Sequence, residues 1–177
     1  CDYVPNDTLS KLLYESFCEA GGPHFTPEEK ALAEEFTKTF DAAAIEDKAR
    51  NLAANFGPEI AEKYKDQALV EDVFPYHPTD MISSGSTDVG DVSWVCPTAQ
   101  VNTACYASGT PGHSWQLVAQ GKAPVAHEAM LQAGRVMAGT AIDLFENPDL
   151  LEKAKAEHAS RVGDGYVCPI PAGVKPR

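Results

Sequence analysis

Apolar residues recur at helical spacing through the first third of the chain. Leu9, Leu12, Leu13 and Phe17 fall on one face, and Asn6 or Asp7 can cap the run. Gly21-Gly22-Pro23 stops it, so the pattern predicts a helix over 7–20. "TPEEKALAEEFTKTF" predicts a second helix. Thr26 caps it, Pro27 suits its first turn and Glu29 completes a capping box, with Leu32, Phe36 and Phe40 as the buried stripe. Asp41 heads a third, whose predicted face is Ile45, Ala49, Leu52, Ala53 and Phe56, ended by Gly57-Pro58. A short helix is expected from Glu59 to Asp66. The lysines and glutamates crowded into 1–66 read as solvated helix faces.

The texture changes near Leu69. "ALVEDVFPYHP" reads as a short strand or extended segment, and "TDMISSGSTDVGDVSW" as a polar loop entering a short element at 88–95. Val101, Thr103, Cys105 and Ala107 alternate over 99–107, which predicts a buried strand. The turn "ASGTPGHSWQ" follows at once. Residues 124–146 form the strongest helical pattern, with Ala126, Met130, Ala133, Met137, Ala141 and Leu144 as the expected seam. That seam is mostly small, and Gly134 and Gly139 lie near it, so a sheet or another helix can approach closely. Asn147 is the expected cap of a last helix from Pro148, before a proline-rich tail read as an ordered arm or a frayed end. Long helices beside one or two buried strands suggest an α/β layer structure. Two strands do not make a covered sheet, so the chain is expected to be incomplete.

Composition narrows the setting. A length of 177 residues suits one domain, and a net charge of -12 argues against nucleic acid as partner. Its three stretches are 1–66 (helical), 67–123 (strand and site loops) and 124–177 (closing helices and tail). Five widely spaced cysteines without a C-x-x-C fit a reducing cytoplasm better than a disulfide framework. No apolar run approaches the ~20 residues that cross a bilayer, and no leader pattern stands out. The start "CDYVPND" lacks a methionine and is expected to mark a processed chain or a piece of a longer one.

Five histidines are candidates for chemistry. His158, on a charged helix, is expected in solvent. His24 is a loop residue, His127 a packing or surface residue, and His77 lies in a proline-flanked loop with Asp80 nearby. His113 differs: it leaves a predicted strand in a Gly/Pro turn, where α/β folds gather their sites. From its residues alone it is either a ligand or catalyst, or incidental to the turn. "SSGSTDVGDVSW" offers hydroxyls and backbone N–H groups, with Asp88 and Asp91 three apart. It shapes a pocket or simply caps a helix through Ser86 or Thr87. No G-x-S-x-G, H-E-x-x-H, Walker loop or G-x-G-x-x-G occurs. One histidine does not hold a catalytic zinc, which takes about three protein ligands. A free-standing hydrolase using His77, His113 and Asp80 has little spacing to support it.

"GSTDVGDVSWVCPTAQ" and "GTPGHSWQLVAQGKAPVAHEAM" resemble the C-terminal part of the M20 metallopeptidase and amidohydrolase family, in its p-aminobenzoyl-glutamate hydrolase branch. The likeness extends to "YVPNDTLSKLLYE" and "FTPEEKALAEEF". It implies the helix-rich C-terminal portion of a zinc-peptidase-like (phosphorylase/hydrolase-like) three-layer α/β catalytic domain, its lid domain absent. It implies two divalent ions in the intact enzyme, zinc or manganese, and hydrolysis of an amide in a small N-acyl amino acid or dipeptide. His113 matches the last metal ligand. Ser86, Asp88 and Gly112 match pocket positions, and Asp88 or Asp91 is a candidate partner for the second imidazole nitrogen. The H-x-D motif and the Glu-Glu base have no counterpart, so this chain by itself is expected to be inactive. Its expected partner is the remainder of the catalytic domain or a second copy. A non-catalytic interaction or regulatory module that keeps the family fold is the alternative.

Overall fold

The computed structural model describes the whole chain except residues 79–84, 86, 169, 172, 176 and 177. The described residues form α1 (Asp7–Ala20), α2 (Pro27–Thr37), α3 (Ala42–Phe56), α4 (Pro58–Tyr64), α5 (Val89–Val95), α6 (Trp115–Gln120), α7 (Pro124–Glu146) and α8 (Pro148–Val162). Helix starts follow the expected chemistry. Asn6, Thr26, Asp41 and Ser114 each accept a backbone N–H of the first turn, and Thr26 and Glu29 form the full capping box.

Helix α1 packs on α7 and α8, and α7 also meets α8. Leu9, Leu12 and Leu13 of α1 are buried, as are Val125, Ala129 and Val136 of α7 and Ala154 of α8. Buried polar groups stitch the same seam. Thr140 Oγ1 donates to Ser16 Oγ at 3.0 Å, and Gln132 Nε2 donates to the Ala20 and Gly21 carbonyls that end α1. Asn6 is 1% exposed: its Oδ1 accepts from Leu9 N while its Nδ2 donates to Ala154 O of α8. Glu157 of α8 accepts from the Asp7 and Thr8 backbone N–H groups and from the Thr8 hydroxyl, so it closes the α1 start from outside.

A second core gathers Phe25, Ala33, Leu69, Ala107 and Val125, flanked by Phe36 and Phe40. It joins α2 and the start of α7 to the extended segments around 69 and 107. Gly22 is required beside it, because a Cβ there would overlap the Glu71 carbonyl. Helices α3 and α4 pack on each other.

Several expectations change. Residues 99–107 contain no strand among the described residues. The segment turns on itself where Cys105 N donates to Thr103 O, and only Ala107 is fully buried. A strand needs a neighbour to take its backbone groups, and no described segment supplies one. The α7 seam sits one residue earlier than predicted: Val125, Ala129, Gln132, Val136 and Thr140 are buried, while Met130 and Met137 stay more than half exposed. Apolar residues occur on both faces of this helix, so periodicity does not say which face packs. In α2, Ala33 rather than Leu32 is buried; in α3, Ile45 and Phe56 are exposed and Ala44 is buried. Asn147 makes no side-chain cap for α8; its Nδ2 closes α7 through Asp143 O. Helix α6 was not anticipated. The tail returns as an arm as far as Tyr166, whose hydroxyl donates to Asp91 Oδ1 at 2.8 Å.

Candidate active-site turn and its cleft

The turn after Ala107 is fixed from three sides. Ser108 N donates to Ala68 O at 2.7 Å, and Thr110 N and its hydroxyl both return to Ala107 O. Gln120, 4% exposed at the end of α6, accepts the Ala107 N–H and donates to Thr110 Oγ1 and Gln116 O. A buried amide with every bond made holds its surroundings in one arrangement. Ser114 Oγ donates to Pro111 O and accepts from Leu117 N, so the turn ends as the α6 cap.

Two residues of this turn have positive φ: Gly109 at 89° and His113 at 55°. Among the described residues His113 is the one non-glycine there. The left-handed region costs an L-residue about 1–2 kcal/mol, and such outliers concentrate at functional sites. Gly112 has no positive φ; His113, the residue after it, does. The imidazole is exposed, and no hydrogen bond or ion pair joins it to a described residue.

The turn walls a cleft of ≈ 520 Å³. Ser108 to Gly112 form one side and Lys48, Asn51, Leu52, Asn55 and Phe56 of α3 the other. Gly109 lies so close that a Cβ would stand 3.0 Å from Lys48 Cδ. Lys48 Nζ donates to Gln67 O at 2.8 Å. Burial lowers its pKa below the ordinary lysine value, and the charge of Asp66 opposes that shift without cancelling it. Sequence reading missed Lys48 and Gln120. A lysine on an amphipathic helix and a glutamine near its end look like surface until the turn closes over them.

The other predicted residues are dispersed. Asp88 is exposed at the head of α5 and makes no side-chain cap. Asp91 is taken by the Tyr166 hydroxyl, whose own pKa it raises, and neither aspartate is bonded to His113. Ser86 and Asp80 lie outside the described residues. Helix α5 is tied to the chain start, with Ser93 Oγ accepting from Val4 N and Trp94 Nε1 donating to Asp2 O. His158 is a correction: it is half-buried and its Nε2 lies 2.9 Å from Ser93 O, linking α8 to α5. His24, His77 and His127 are exposed. All five cysteines are free thiols, and burial pushes Cys105 up, away from thiolate reactivity.

Among the described residues no three His, Cys, Asp or Glu side chains gather to hold a metal. No helix among them is long and apolar enough to cross a membrane.

No protein-family model matches the chain. No solved structure matches it either. Over 179 aligned residues the chain is 40% identical to a subunit of p-aminobenzoyl-glutamate hydrolase from Escherichia coli (strain K12), and the match takes in 98% of this chain. The chain spans 37% of the length of that relative, so it is similar, almost throughout, to little more than a third of it.

Proposed function

We propose that this chain is the C-terminal segment of a metal-dependent amidohydrolase of the M20 type. Its substrate class is a small N-acyl amino acid or dipeptide such as p-aminobenzoyl-glutamate, and His113 is the last metal ligand. The observation that carries the reading is the 40% identity, running through 98% of the chain, to a protein whose name states that hydrolysis. The placement of His113 supports it: an exposed imidazole held at positive φ in a turn braced from three sides.

One imidazole does not fit a metal pair, and no described cluster completes it. The chemistry this chain contributes is therefore positional. The braced turn sets the direction in which the His113 side chain leaves the backbone. Gly112 beside it adds no side chain to crowd a ligand. Asp91 Oδ1 is engaged by the Tyr166 hydroxyl, and Asp91 makes no bond to that imidazole. The remaining ligands and the general base belong to the rest of a zinc-peptidase-like α/β catalytic domain.

That remainder is also the partner this reading names. Outward on α7 stand Met130, Leu131, Met137, Ile142 and Phe145, each 54–86% exposed. A helix apolar on both faces is built to be covered on both. Segment 99–107 likewise becomes a strand when a neighbouring strand is supplied, which restores the α/β layers. Five free thiols fit the cytoplasm as its location.

The test is to co-express this chain with the part of the E. coli relative outside the match, and to follow release of p-aminobenzoate from p-aminobenzoyl-glutamate. The pair is expected to hydrolyse it and the chain alone is not. His113→Ala in the pair is expected to lose about 100-fold or more, beyond what a group that only orients a ligand costs. Full activity in that variant contradicts the role given to His113. A pair that associates and stays inactive with every substrate of the class supports the interaction module instead.

A further inference from the structure

We propose that the cleft between α3 and the Ser108–Gly112 turn is a carboxylate-binding subsite in which the Lys48 ammonium is the counter-charge. Lys48 stands apart from the other cations. Every other lysine among the described residues is exposed, and Lys30, Lys38, Lys63, Lys65 and Lys155, like Arg50, Arg135 and Arg161, bridge to a carboxylate. Of the described lysines Lys48 alone is half-buried, and no carboxylate lies within 4.0 Å of it among the described residues. Its stem is held by the close approach of Gly109, and one of its three donors goes to Gln67 O. Two donors remain. A desolvated cation with donors to spare favours an anion, because the ion pair restores what burial removed. The lowered pKa agrees: the charge of Asp66, too far for an ion pair, does not offset the burial.

The rest of the lining sets the size and class of ligand. Asn51 offers an amide, Ala44, Leu52 and Phe56 offer apolar surface beside it, and the one carboxylate of the lining, Asp47, is paired with Arg50. A space of ≈ 520 Å³ suits a short-chain carboxylic acid or amino acid, not a polymer. Gly112, next in the chain to His113, forms part of the wall. Assigning the subsite to the acidic end of the substrate rests on the hydrolase reading above; the anion site itself does not.

The experiment titrates the folded 177-residue chain with glutarate and, separately, with the neutral glutaramide of equal length. Binding is followed by NMR at the Lys48 Cε resonance. Glutarate is expected to bind saturably and at least about tenfold more tightly than glutaramide, and to weaken as salt is raised. Lys48→Met is expected to abolish the difference and Lys48→Arg to keep most of it. Equal binding of the two probes, no binding of glutarate, or a difference that survives in folded Lys48→Met overturns the proposal. The salt series on the native chain stands even if a variant fails to fold. Neither probe contains a scissile N-acyl bond, so an anion site without hydrolysis, or hydrolysis without an anion site, is read separately from the activity test.

Discussion

His113 is the residue where strain and candidate chemistry coincide. Its φ of 55° is tolerable for histidine and worse for a β-branched side chain. His113→Val is therefore expected to cost about 1–2 kcal/mol, whereas His113→Gly is expected to leave stability unchanged or slightly raised. Urea titrations of both variants check this; equal stability of the two would mean that the backbone angle is not strained. Gln120 is the residue that braces the turn. Gln120→Leu strands the Ala107 N–H in the core and is expected to cost about 1–3 kcal/mol, and more than Gln116→Leu, half-buried one turn earlier on α6, in the same titration. The sequence made His113 legible because glycine and proline mark the turn around it. It did not reveal Lys48 or Gln120, because their burial comes from segments far away in the chain.

At the scale of elements, caps were the most legible feature. Asn6, Thr26 and Asp41 cap as their residue types demand, since that chemistry is local. Packing faces were less so. The α7 seam shifted by one residue because alanine and methionine on one face and valine and alanine on the other give the same period. The strand at 99–107 did not form, because pairing is a property of two segments and no second one lies beside it among the described residues. Two acidic links between elements carry a pH dependence. Burial would raise Glu157, but its bonds from Thr8 and Asp7 and the nearby Arg161 outweigh that and lower it. Glu71 is lowered by Lys30 and by the Phe25 N–H. A carboxylate lowered on folding stabilises fully above its unfolded pKa, near 4.5 here, and loses that contribution as pH falls through its folded value. Stability is thus expected to drop below about pH 4.5, with a shallower drop in Glu157→Gln and in Glu71→Gln. A slope unchanged by both substitutions would remove these links from the account.

At the scale of the molecule, the chain shows charge and exposed apolar surface together. A net charge of -12 opposes self-association, yet α7 presents Met137 and Phe145 to solvent at 55% and 86% exposure. Covering that face is worth more than the repulsion if a complementary partner is available. Met137→Glu with Phe145→Lys is expected to leave the fold intact and to weaken, by at least about tenfold, capture of the part of the E. coli relative outside the match in sedimentation experiments. The proposed function makes the turn at His113 one side of a metal site whose other side lies in the part of such a hydrolase that this chain does not match. Zinc per polypeptide, by elemental analysis after dialysis, tests it most directly. The account predicts no stoichiometric zinc in the 177-residue chain alone, about two ions in its complex with the rest of the relative, and a clear loss in the His113→Ala complex. Tightly held stoichiometric zinc in the chain alone, or unchanged zinc in the His113→Ala complex, would contradict it.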